Sequence, residues 1–414
     1  MYSPSFLPCQ PRLAELFFSG LLFLLSFAPV KSQTDISTTL LDSIISAHPE
    51  WGDWTQDAAA FQVQVLLTEI HRDETGKPRF THHRWGMPAG AYYYPASTVK
   101  MPVAALALQR INELGIRGLT KHSRMQTGRG RSPQTVALVD PSSPTGLPSV
   151  AHYARKIFLV SDNDAYNRLF EFLGQDYVNT TLRRMGLEDT RIIHRLAVSG
   201  FDTLGNRYYN PVSFYHEDSL LYYRGERYGK WYDDLGLEGQ QRGVGYTTND
   251  GELINEPFDF RYKNYVSLAD QHGIIMRLML PEAFPPTERF NLTPDDYAWL
   301  HEAMGQRPRE SKYPTYPDKE DHYVKFWQFG DRDTSFRIPD HIRIYNKVGW
   351  AYGYLTDIAY VVDTKAQVEY FISGTIHVND NQIYNDGNYE YETIGLPFFG
   401  QLGQAVHAYL VGAP

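Results

Sequence analysis

Ser97 and Lys100 stand three residues apart in the run Tyr94-Pro95-Ala96-Ser97-Thr98-Val99-Lys100-Met101-Pro102. The run continues into Val103-Ala104-Ala105-Leu106-Ala107-Leu108-Gln109-Arg110-Ile111, apolar almost all round and rich in helix formers, which predicts a buried helix. Pro95 disfavours helix before it, so the helix is expected to start at about Ser97. On one helix face, one turn apart, the two side chains could act together. A serine at a helix start sits at the positive end of the dipole, beside unpaired backbone N–H groups. Both favour an alkoxide there and an oxyanion next to it. A lysine buried under apolar sequence loses affinity for its proton, and its neutral amine can take the proton of a serine. That is a nucleophile with its base. An N-capping serine followed one turn later by a solvated lysine would give the same pattern, which arises by chance about once in a chain of this size.

Two further patterns add to the first. Val160-Ser161-Asp162-Asn163-Asp164 follows an apolar run and opens another helical stretch, and Asn346-Lys347-Val348-Gly349-Trp350 lies on a strand-like run near the C-terminus. Ser-x-x-Lys, Ser-Asp-Asn and Lys-x-Gly, in that order, are the motif set of penicillin-recognising serine hydrolases, with Thr in the third. The sequence resembles that family, and class A β-lactamases in particular. The resemblance extends beyond the motifs: Asn346–Asp363 is similar to two adjacent core strands of the family and Ser267–Leu280 to one of its later helices, about two-thirds of the chain in all.

The resemblance implies roles residue by residue. Ser97 is the nucleophile and Lys100 its base. Ser161 relays a proton to the leaving nitrogen, with Lys347 beside it. Asn163 holds the side-chain amide of the substrate. The backbone N–H groups of Ser97 and Trp350, the latter following Gly349, form the oxyanion hole. Asp162 is expected to hold its loop rather than take part in chemistry. The substrate is a small molecule, a β-lactam or a D-alanyl peptide, and no cofactor is implied.

Two departures bear on turnover. Val348 stands where the family has a hydroxyl residue that helps to bind a substrate carboxylate, and it cannot hydrogen-bond. The family also places a glutamate after Ser-Asp-Asn to activate the deacylating water, whereas Ile192–Gly200 contains no carboxylate. Asp202 and Glu217 come later, and nothing in the sequence aims them at the site. Without a base, deacylation is expected to slow by roughly 10²–10⁴-fold. Three functions remain open: a β-lactam hydrolase short of efficient resistance, a D-alanyl peptidase or esterase, and a β-lactam-binding protein that acylates and stays acylated.

The elements that must position these residues follow from periodicity. Asp35–Ala47 has helical spacing, and Phe61–Leu67 alternates like a strand, with Phe80–Trp85 as its partner after the turn at Asp73–Pro78. The Ser97 helix ends near Gly115 or Gly118. Thr127–Gly146 reads as loop, Val150–Leu159 and Asp164–Leu173 as helices, the second stopped at Gly174. Gly186–Tyr265 has weak periodicity and many tyrosines, which predicts loops. Its core, about 200–265, reads as a long insertion that either packs over the site or is a surface elaboration. Leu268–Leu280, Pro294–Met304 and Leu396–Leu410 read as helices, and Ile342–Trp350, Thr356–Val362 and Val368–His377 as strands. The expected fold is α+β: an antiparallel sheet of about five strands flanked by helices, plus a mainly helical lobe, with the site at their junction.

Composition bounds the rest. The 414 residues are 42% hydrophobic and 21% charged, and a net charge of −9 argues against nucleic acid as a partner. Arg12 followed by the apolar run from Leu16 to Ala28, with small residues before Gln33, reads as an export signal over residues 1–32, leaving a β-lactamase-like domain over 33–414 in the periplasm or outside the cell. An uncleaved anchor is the alternative; otherwise no stable membrane insertion is expected. Cys9 is the single cysteine, so a chain cleaved there has no disulfide, thiol nucleophile or thiolate metal site. His82-His83 lacks further ligands at metal spacing, and Val378–Asp386 matches a calcium loop in composition only, so no metal is expected.

Overall fold

The computed structural model describes residues 37–88, 90–230 and 234–412. The stretch read as an export signal lies outside the described residues. Among those residues, no helix is long and apolar enough to cross a membrane.

Alternation builds the sheet. Its strands are β1 (Gln64–Arg72), β2 (Pro78–Gly86), β3 (Ile342–Ala351), β4 (Tyr354–Asp363) and β5 (Val368–His377). They pair antiparallel in the order β3-β4-β5-β1-β2. The β1–β2 turn is closed by the Asp73 carboxylate, which accepts the N–H groups of Thr75 and Lys77. β4 is an interior strand, buried nearly throughout, so its alternate residues serve two cores. Leu355, Ala359 and Val361 pack with α1 (Thr39–Ser46) and α8 (Leu396–Val411). Tyr354, Ile358 and Tyr360 face the larger core that the helical lobe shares. The first and last helices are therefore neighbours, through Leu41 and Ile45 against Phe398, Leu402 and Val406.

The helical lobe contains α2 (Lys100–Leu114), α3 (Val150–Val160), α4 (Asn163–Leu173), α5 (Gln175–Arg184), α6 (Leu268–Met279) and α7 (Pro294–Gly305). Gly115 ends α2 in the left-handed region, as its missing Cβ allows. Ser149, Ser267 and Thr293 cap α3, α6 and α7 through their hydroxyls. The architecture is α+β with a five-stranded antiparallel sheet, as expected.

Three expectations need correction. The α-helix starts at Lys100, because Ala96–Val99 forms a tighter 3₁₀ turn and Ala96 takes a φ of 46°. The first strand starts at Gln64, after a residue with positive φ, Gln62. The Tyr-rich stretch is more ordered than a set of loops. Val212–His216 and Ser219–Arg224 form a three-stranded sheet with Arg124–Thr127. Gly245–Thr247 pairs in parallel with Ile383–Tyr384, and Tyr265–Val266 pairs with Thr190–Arg191.

Candidate active site

Of the eighteen residues from Tyr92 to Gln109, Ser97 alone is not buried. The 3₁₀ turn lifts it out of a stretch that is otherwise core. β3 runs along this turn at close quarters: a Cβ on Gly349 would lie 2.4 Å from Pro95 O and 3.1 Å from Thr98 Cγ2. Only glycine permits that approach, and it brings the next residue of the edge strand, Trp350, alongside the serine turn. Trp350 is exposed at the end of β3, its ring 5.1 Å from that of Tyr391 and 6.1 Å from that of Phe326.

Ser161 ends α3 in the left-handed conformation, φ 58° and ψ 38°. That bend turns its carbonyl and hydroxyl toward two buried lysines. Lys100 Nζ donates to Ser161 O at 2.5 Å, to Asn163 Oδ1 at 2.7 Å and to Ser161 Oγ at 3.2 Å. Lys347 Nζ, arriving from β3, donates to the same hydroxyl at 2.8 Å and to Val348 O at 2.8 Å. Two amines thus bracket one hydroxyl. Asp162 caps α4 by accepting Ala165 N–H at 2.8 Å and pairs with Lys156 at 3.4 Å, so it braces the loop.

Burial lowers the Lys100 pKa to about 7, against a weaker opposing pull from Asp162. Lys347 is pushed well below the lysine range, by burial first and then by the charge of Lys100. An ammonium at Lys100 has three N–H groups for its three acceptors; a neutral amine has two and a lone pair. Of the three partners, only the Ser161 hydroxyl can turn round and donate to that lone pair. The chain then points one way, from Lys347 through Ser161 to Lys100.

The structure brings together Lys100, Ser161, Asn163 and Lys347 by direct hydrogen bonds, and sets Ser97 and Gly349 side by side across the turn. It does not join Ser97 to Lys100 directly: among the described residues, Ser97 Oγ has no hydrogen bond, and all three bonds of the lysine go to the Ser-Asp-Asn loop. Val348 packs in the sheet core and not in the site.

Behind Lys347 lies a polar cluster that motif reading missed. Lys325 Nζ donates to Ile344 O, Asn346 Oδ1 and Met304 O at 2.8, 3.0 and 3.1 Å. Asn346 Nδ2 donates to Asp357 Oδ1 at 2.7 Å, and Asp357 Oδ2 accepts Phe326 N–H at 2.9 Å. Burial raises Asp357 to about 6 and lowers Lys325 to about 7. This cluster fixes β3 at the residue before Lys347. The signal available was Asn346 itself, an amide beside Lys347 in a strand whose other buried positions are mostly apolar.

Beside the cluster of Lys100, Ser161 and Lys347 is a cavity of about 630 Å3. Ser97 does not line it. Tyr94 and Tyr352 do, and their rings meet edge-on at 5.3 Å, bridging the serine turn and the end of the β3–β4 hairpin. The loop 193–203 forms its floor. Three asparagines clip that loop from behind. Asn179 Oδ1 accepts Ile192 N–H at 2.8 Å, Asn264 Oδ1 accepts Ile193 N–H at 2.7 Å, and Asn167 Oδ1 accepts Leu196 N–H at 2.8 Å. Each returns its amide N–H to a loop carbonyl, so a non-strand segment is paired as if it were one. A buried ion pair completes the clamp, Arg195 Nε to Glu171 Oε1 at 2.8 Å. His194 is held neutral, its pKa lowered to about 3 by burial and next by the charge of Lys263.

The two carboxylates left open by the sequence part company here. Asp202 lines the cavity, but its Oδ1 accepts Gly205 N–H at 2.6 Å. Glu217 sits in a separate cleft with Trp299 and Arg155, on the turn between two short strands of the helical lobe.

Residues 78–227 match the model of the β-lactamase enzyme family. No protein of curated function matches the sequence. Similar solved structures include a β-lactamase from Xanthomonas campestris pv. campestris, 16% identical over 90% of this chain and 99% of that one, with a TM-score of 0.49. A β-lactamase from Sphaerobacter thermophilus is 12% identical over 90% and 98%, at 0.47. An ancestral class A β-lactamase is 15% identical over 88% and 99%, also at 0.47. The resemblance read from the three motifs thus has a counterpart in the family match, which spans the first two of them.

Proposed function

We propose that this chain, β-lactamase-like over residues 78–227, is a serine hydrolase that opens a β-lactam amide through an acyl-enzyme at Ser97. The observation that carries the reading is the pair of buried amines around the Ser161 hydroxyl, one of them with a pKa near 7. Ser97 Oγ attacks the carbonyl carbon, and its proton passes to the neutral Lys100 amine, which turns toward it from Asn163. The oxyanion is met by the backbone N–H groups of Ser97 and Trp350. As the C–N bond breaks, the Ser161 hydroxyl gives its proton to the leaving nitrogen and is refilled from the Lys100 ammonium. The proton of Ser97 thereby ends on the β-lactam nitrogen, and the acyl ester remains. In the resting site the Asn163 oxygen accepts from Lys100, which leaves its amide N–H groups for a substrate carbonyl.

A second reading, slow turnover, is favoured by a specific observation. The stretch Ile192–Gly200 lacks a carboxylate, and Asp202 is engaged by Gly205. Hydrolysis of the ester then falls to Lys100 alone, and only while it is neutral. Stopped-flow mixing with a chromogenic cephalosporin is expected to show a burst of one equivalent followed by slow turnover. A fast, linear trace overturns slow deacylation, and no reaction overturns the β-lactam assignment. Export belongs to the proposal too: the apolar run Leu16–Ala28 supports it, and secreted protein is expected to begin near Gln33 on N-terminal sequencing.

A further inference from the structure

The same cavity carries an inference about the acyl donor, resting on the acyl-enzyme reading above. Val348 is buried in the sheet core, so the position that should help to grip a substrate carboxylate contributes nothing. Lys263, from the Tyr-rich stretch, brings a cation to the cavity beside the site. It lines the cavity, half-buried, with its ammonium 5.5 Å from the ring centres of both Phe258 and Tyr352. The rings hold the charge in place without neutralising it. Lys263 Nζ has no carboxylate within ion-pair distance and no hydrogen-bond acceptor among the described residues. Among the described residues Asp202 is the one carboxylate lining the cavity, and it is turned to its own loop at Gly205. Arg195, paired with Glu171, and Arg207 are the other cations of the lining. The chamber is therefore cationic, aromatic-walled and joined to the serine turn by Tyr94 and Tyr352.

We propose that this cavity is a subsite for the acyl side chain of the substrate, and that Lys263 selects side chains ending in a carboxylate. A half-buried ammonium with no partner binds a carboxylate by a charge-assisted hydrogen bond that a neutral side chain cannot replace. The aromatic rims of Tyr352 and Tyr94 receive the apolar part of the same group. The one loop carboxylate in the lining, Asp202, is turned to Gly205, so the chamber serves recognition.

The test uses benzylpenicillin and α-carboxybenzylpenicillin, which differ by one carboxylate on the side chain. Their non-covalent affinities are measured by calorimetry on Ser97→Ala, which cannot be acylated, and on the same protein carrying Lys263→Gln or Lys263→Arg. The carboxylated compound is expected to bind about tenfold more tightly, with that ratio lost in Lys263→Gln and kept in Lys263→Arg. Equal affinities, a ratio that survives Lys263→Gln, or binding of neither compound would each overturn the proposal. Covalent labelling of the wild-type chain is followed alongside. Labelling at Ser97 without a side-chain preference removes the subsite alone; a preference without labelling removes the acyl-enzyme reading alone.

Discussion

The two-lysine cluster around Ser161 and the cavity beside it are built by opposite means. Lys100 and Ser161 sit at the ends of α2 and α3 and Lys347 lies within β3, regular elements each with its own buried apolar face. The cavity floor, 193–203, has no regular structure and is held by side chains: three asparagine clips and the Arg195–Glu171 pair. Regular elements place a proton-transfer chain to within a hydrogen bond, because packing fixes the backbone on all sides. A clipped loop fixes a shape while leaving its surface residues, Ala197 to Gly200, free to differ. One region is suited to chemistry and the other to selection.

Substitutions in the first region should change the chemical step. Lys100→Met removes the base and is expected to slow acylation by about 10³-fold, within the span of general-base effects, as read by stopped-flow with a penicillin. A rate within a few-fold of wild type would show that another group takes the serine proton. Gly349→Ala places a methyl group against Pro95 O and forces β3 away from the serine turn. A displacement on the order of 1 Å there costs about 10²-fold in acylation, and a variant of normal rate would mean that the strand need not touch the turn.

Substitutions in the second region should change stability or selection and leave proton transfer alone. Glu171→Gln leaves Arg195 buried without its counter-charge, and about 3 kcal/mol of stability should be lost in denaturant unfolding. The acidic limb of the acylation profile should stay where it was. Should that limb move with the loop, the two regions are one device.

The smallest expected effect is on pH. Because burial lowers Lys100 to about 7, acylation should rise with pH through that value and level off above it. The sign for stability is the same. The unfolded chain holds the lysine proton up to its ordinary value of 10.5, so between about 7 and 10.5 the unfolded state binds more protons and the native state gains stability as pH rises. An acylation profile flat from pH 5 to 9 would contradict a lysine base.

The sequence announced the first region far better than the second, and the reason is physical. The three motifs lie on elements with clear periods, so α2, α3, α4 and the three C-terminal strands were legible from apolar spacing and glycine stops. The 3₁₀ turn under Ser97 was not, because it depends on the positive φ of Ala96, a residue with no preference for it. α5 escaped notice because Gln175, Asn179 and Thr181 on its buried side are polar. Asn179 is buried there to hold Ile192, a long-range reason that no local pattern encodes. The same holds for Asn167, Asn264 and Lys325: each bonds to backbone remote in sequence, and single asparagines and lysines are common on surfaces. The tyrosines were legible as a mass but not as a wall, since Phe258, Phe260 and Tyr352 meet only when the chain has folded.

Time-resolved intact-mass spectrometry after mixing with benzylpenicillin, on wild type and on Ser97→Ala, tests the acyl-enzyme most directly. The wild-type chain should gain the mass of one penicillin, map to the peptide containing Ser97, and lose it slowly; Ser97→Ala should gain nothing. An adduct of equal yield on Ser97→Ala, or no adduct on the wild type with the drug unconsumed, would contradict the account.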